Sequence, residues 1–119
     1  MAQVIDMGVI DELLALSEDG DPELLVDLIT MFVADGPEKL RSIVGGLAAG
    51  DLHQMERAAH SLKGSAGNLG ATAVQNHCDT IQVATRRQQV DGLATVVDAL
   101  ERDFATALRE LQDLLGKFR

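Results

Sequence analysis

Apolar residues recur at helical spacing along almost the whole chain, and turn-forming residues cut that pattern into segments. Ile10, Leu13, Leu14 and Leu16 predict a first helix over about 7–17, followed by a turn at Glu18-Asp19-Gly20. Asp21-Pro22 then reads as an N-cap with proline at the first helical position. Leu24, Leu25, Leu28, Ile29, Phe32 and Val33 give the second helix a broad apolar face, which Gly36-Pro37 is expected to break or kink. The pattern resumes with Leu40, Ile43, Val44 and Leu47 and stops at Gly50.

Asp51 reads as the next N-cap, and Leu52, Met55, Ala59, Leu62, Ala66 and Leu69 form a regular stripe behind it. Gly70 stands where a helix C-terminus favours glycine. Val74, Cys78, Ile81 and Thr85 mark one face of a further helix ending near 88–91. Leu93, Val97, Leu100, Phe104, Leu108, Leu111, Leu115 and Phe118 then space out as a bundle seam. Long helices joined by short loops pack antiparallel. The predicted fold is therefore all-α, an antiparallel four-helix bundle with one or two short additional N-terminal helices, formed as a single domain over residues 1–119.

Composition narrows the picture. Aromatics are 3% of the chain and Trp and Tyr are absent, so a core of Leu, Val, Ile, Ala and Phe is required, which suits helices better than a β-sandwich. The formal net charge of −9 argues against a nucleic-acid partner and against anionic membrane surfaces. No apolar run is long enough for membrane insertion, and the first residues lack the basic-then-apolar pattern of a signal peptide. Cys78 is the only cysteine, which rules out an internal disulfide and points to a cytoplasmic location.

The chemistry concentrates in residues 58–70. His60 lies off the apolar stripe, about 100° around the helix from Ala59. Lys63, Gly64 and Gly67 follow it by three, four and seven residues and so share its face. A mid-helix glycine costs roughly 1 kcal/mol against alanine. Two of them beside one imidazole leave bare helix surface that another molecule's backbone can approach. Neutral imidazole is a competent nucleophile, and an adjacent ammonium offsets the charge of a phosphoryl group attached to it.

Ala59-His60-Ser61-Leu62-Lys63-Gly64-Ser65-Ala66-Gly67-Asn68-Leu69-Gly70-Ala71 resembles the signature of histidine-phosphotransfer domains: His-x-Leu-Lys-Gly-Ser, then a glycine ten residues after the histidine. Gly20-Asp21-Pro22-Glu23-Leu24-Leu25, Phe32 and Gly50-Asp51 also look like this family. The resemblance implies that His60 accepts phosphate at Nε2, that Lys63 and Arg86 stabilise the phosphoryl group, that Gly64 keeps the histidine accessible, and that Ser65 supports the local geometry, with Gly67 a further supporting residue. It implies that Gln82, in the next helix, reaches toward the imidazole; the frequent Leu-Glu pair of the family is Ile81-Gln82 here. Implied partners are response-regulator receiver domains and a hybrid sensor histidine kinase. The chain itself would be a monomer with no cofactor of its own, the divalent metal belonging to the receiver. Family members that bind without being phosphorylated usually lose the histidine, and this chain keeps it.

Other chemistries fit less well. His53, Glu56 and His60 share a helix face as metal ligands would, but no second set of ligands completes a site. His77 and Cys78 are sequential and point apart on a helix, so they make no nucleophile–base pair. No Gly-rich phosphate loop or Walker-type lysine is present, so autophosphorylation from ATP is not expected.

Overall fold

The computed structural model describes residues 4–17 and 21–118, in five helices: α1 (Met7–Ala15), α2 (Glu23–Ala49), α3 (Leu52–Asn68), α4 (Thr72–Arg86) and α5 (Leu93–Gly116). Helices α2 to α5 pack each on the next and α5 closes against α2, which makes the four-helix bundle; α1 is the one short extra helix and packs on α2. The turn expected at 18–20 lies outside the described residues.

The capping residues act where the sequence puts them, with one shift. Asp51 caps α3, its Oδ1 accepting from Gln54 N at 3.0 Å. Asp21 Oδ1 accepts from Glu23 N at 3.0 Å, but Pro22 rather than Asp21 stands at the cap position and α2 begins one residue later than expected. Gly50 and Gly70 close α2 and α3 with φ of +70° and +72°, a backbone region costly for other residues.

Of the break or kink expected at Gly36-Pro37, the break does not occur: α2 runs 27 residues through both. Proline removes one backbone donor, but packing on either side holds the helix together. Phe32, Gly36 and Ile43 are buried on its inner face, and the ring of Phe104 on α5 lies so close that a Cβ on Gly36 would meet its Cζ at 2.9 Å. Gly36 therefore seats an aromatic ring, and the tertiary contact outweighs the local propensity. Two smaller departures accompany it. Ala107 fills the buried turn of the α5 seam where Leu108 was expected, and Leu16, beyond the end of α1, is 73% exposed.

Two long-range ties fix the N-terminal segment. Val4 N and Ile5 N donate to the Glu110 carboxylate at 3.0–3.2 Å, and Asp6 N donates to Gly70 O at 2.8 Å. Ile5 is thereby docked beside Ala71, at the turn between α3 and α4.

Cys78 is fully buried in the core, and burial pushes its thiol from 9.0 up to about 12, with Lys63 pulling the other way. The native thiol should react with an aromatic disulfide reagent at pH 8 at least about 100-fold more slowly than in urea, because both thiolate and access are lacking. Below the unfolded value near 9.0 the contribution of the buried thiol to stability is intact; it is lost as pH rises toward 12, because only the unfolded chain then releases the proton. Thiol-labelling kinetics and alkaline denaturation check both statements.

Candidate functional site

The α3 stripe turns Met55, Ala59, Leu62 and Ala66 into the core, and this orientation leaves His60 on the outer surface. Gly64, one turn on, is exposed, and a Cβ built there meets nothing within 4 Å. The cleared face predicted beside the imidazole is present. Gly67 differs: a Cβ there would meet Gln75 Nε2 at 2.8 Å, so this glycine admits the α4 side chain rather than leaving open surface.

Helix α4 meets α3 in a regular antiparallel register, and three polar links cross the seam in order. Arg86 Nε donates to Glu56 Oε1 at 2.8 Å. Gln82 Nε2 lies 3.0 Å from His60 Nδ1. Lys63 Nζ donates to Asp79 Oδ1 at 3.2 Å. The imidazole thus occupies the middle link, flanked on each side by a cation–carboxylate pair.

Gln82 follows Ile81 of the apolar stripe and is itself buried, at 3% exposed. Thr85, also buried, donates its hydroxyl to Gln82 O at 3.0 Å. With the amide nitrogen donating to Nδ1, the neutral ring carries its proton on Nε2. The amide oxygen, Gln82 Oε1, is buried without a hydrogen-bond partner. A half-turn of the amide would exchange its ends: Oε1 would accept from Nδ1–H, and the Nε2 lone pair would be exposed.

The remaining expected site residues are accounted for. Ser65 donates to Ser61 O at 3.2 Å, a back-bond within the helix, and accepts from Lys39 Nζ at 3.4 Å. It thereby ties α3 to α2 one turn from His60. Glu56, considered with His53 and His60 as a metal ligand, is instead the partner of Arg86. His77 Nε2 pairs with Asp103 Oδ2 of α5 at 2.7 Å. Among the described residues no group of three or more His, Cys, Asp or Glu is arranged to hold a metal. Sequence reasoning missed Asp79 altogether; its only signal is that it lies one turn before Val83 on the exposed side of α4.

Comparison with known proteins gives one consistent result. The family model described as Hpt domain matches residues 27–117. In sequence the chain is similar to histidine-containing phosphotransfer protein 5 of Arabidopsis thaliana, at 24% identity over 108 residues, covering 88% of this chain and 69% of that protein. It is also similar to pseudo histidine-containing phosphotransfer protein 2 of Oryza sativa subsp. japonica, at 23% identity, covering 98% of this chain and 81% of that protein. In structure it matches histidine-containing phosphotransfer protein B of Pseudomonas aeruginosa PAO1 with a TM-score of 0.87 and 29% identity, over 100% of both chains. Overall likeness extends to relatives of both kinds of name.

Proposed function

The chain belongs to the Hpt domain family, and from that premise we propose that His60 accepts a phosphoryl group from a receiver-domain aspartyl phosphate and returns it to another receiver. The observation that carries this reading is an exposed imidazole anchored through Nδ1 by Gln82, with open helix surface at Gly64 beside it.

The chemistry asks little of the chain. The Nε2 lone pair attacks phosphorus; the N–P bond forms as the P–O bond to the receiver carboxylate breaks, and the carboxylate leaves with the electron pair. Both groups are held in line by docking, so positioning and charge neutralisation supply most of the rate. This mechanism uses the Nδ1–H form of the ring. Turning the Gln82 amide lets its oxygen accept from Nδ1–H and holds that proton there, while the amide nitrogen takes the buried position the oxygen leaves. Lys63 and Arg86 supply positive charge on either side, and the divalent metal would come with the receiver. A hybrid sensor kinase would be the upstream source, and a monomeric, cytoplasmic carrier fits an acidic chain in which no described helix is long and apolar enough to cross a membrane.

The test is intact mass after incubation with phosphoramidate, or with a phosphorylated receiver. One added phosphoryl group, labile in acid and stable in base, supports the carrier reading; a folded protein that takes up none from either donor overturns it.

Gly64 offers a prediction that separates docking from chemistry. Gly64→Gln should fold normally, since its side chain enters open space and the helix gains roughly 0.5–1 kcal/mol in propensity. Uptake from phosphoramidate should stay within about 2-fold of wild type. Transfer from a receiver should fall by roughly 100-fold, because displacing the donor by about 1 Å is enough to lose alignment. Parallel uptake assays with the two donors check this.

A further inference from the structure

We propose that Asp79 competes with the phosphoryl group for Lys63, and so weakens the hold of the chain on its own cargo. The inference rests on the carrier reading above and concerns a residue to which that reading gives no role.

The geometry is direct. Lys63 follows His60 by three residues and shares its face, but in the unphosphorylated protein its ammonium is held by Asp79 Oδ1 at 3.2 Å. The two side chains remain 31% and 59% exposed, so the pair is neither locked nor sealed from water. A lysine ammonium is a compact charge on a flexible stem, and it can turn from one anion to another. A phosphoryl group on His60 brings nearly two negative charges within its reach. Lys63 then has two claimants. Either it divides between them, or it leaves Asp79 as an uncompensated carboxylate one link along the seam from a dianion. Both outcomes raise the free energy of the phosphorylated form.

The pair on the other side of His60 works differently. Arg86 uses Nε for Glu56, and a guanidinium has further N–H donors on its other nitrogens. It can keep its carboxylate and still face a phosphoryl group. Asp79 is therefore the competitor and Glu56 is a tether. Asp79 touches no reacting atom. It acts through Lys63, as an electrostatic positioning residue, and favours onward transfer over storage.

The experiment uses phosphoramidate alone and needs no receiver. Nε2 displaces ammonia from phosphorus: the new N–P bond replaces the old one, and the leaving ammonia takes up a proton. At a fixed ratio of phosphoramidate to ammonia, intact mass gives the equilibrium occupancy of His60. Wild type, Asp79→Asn, Lys63→Gln and the double variant are compared at low and at about 1 M salt, where screening reaches roughly 3 Å. Asp79→Asn should raise the equilibrium constant for phosphorylation about two- to five-fold at low salt, the size an exposed ion pair supports. The increase should shrink at high salt and vanish in the Lys63→Gln background. No increase, or one that persists without Lys63, overturns the proposal while leaving the carrier reading intact. No adduct on the wild type overturns both.

Discussion

His60→Gln should lower phosphoryl uptake from any donor to background, a loss of at least about 100-fold, and leave the fold in place. An amide nitrogen is not a nucleophile at neutral pH, so no substitute for the lost lone pair exists at that position. The stability cost should be small. His60 is exposed, glutamine is the better helix former, and the one interaction at stake is the hydrogen bond with Gln82, worth about 1 kcal/mol. A glutamine at 60 can also offer its own amide to the buried Gln82. Intact mass and a thermal melt on the same sample check both halves. Residual uptake on the variant would assign the carrier to another residue.

Leu62→Ala should do the opposite. Leu62 is fully buried in the core, two residues from His60 and on the other side of the same helix. Removing three heavy atoms there leaves a cavity among well-packed neighbours and costs roughly 2–5 kcal/mol. For a domain of this length that corresponds to a melting temperature lowered by roughly 10–20 °C. At a temperature where the variant remains folded, phosphoramidate uptake should stay within about 3-fold of wild type, since the nucleophile and its open surface are untouched. Urea denaturation together with uptake at low temperature checks this. Taken as a pair, the two variants divide one helix into a face that reacts and a face that holds.

That division was readable from spacing. His60, Lys63 and Gly64 fall on one face by the 3.6-residue period alone, and the core stripe falls on the other. What spacing could not supply is the register between helices. Nothing in the linear pattern says that Glu56 faces Arg86 or that Lys63 faces Asp79, because that alignment is set by how α3 packs on α4. Gln82 illustrates the same limit: its position relative to His60 came through family resemblance, and its burial appeared only with the packed seam. At Gly36-Pro37 the helix does not break, and the contact that seats Gly36 comes from Phe104, far along the chain. The short N-terminal helix was expected from its apolar spacing, whereas the docking of Val4 and Ile5 on Glu110 joins residues too distant in sequence for any local pattern to reveal.

The cross-links of the seam all lie between Glu56 and Arg86, in two helices joined by a turn of three residues, Leu69 to Ala71. The consequence is kinetic. Closing that hairpin confines only a short stretch of chain, so its entropic cost is small and its contacts form early in folding. On contact order, the reactive surface should take shape before the distant ends meet, with the long-range closure of residues 4 and 5 onto Glu110 following it; hydrogen exchange during refolding checks this order. Later changes to the outer helices can then alter how fast the whole chain finishes folding without disturbing the order in which the histidine finds its neighbours.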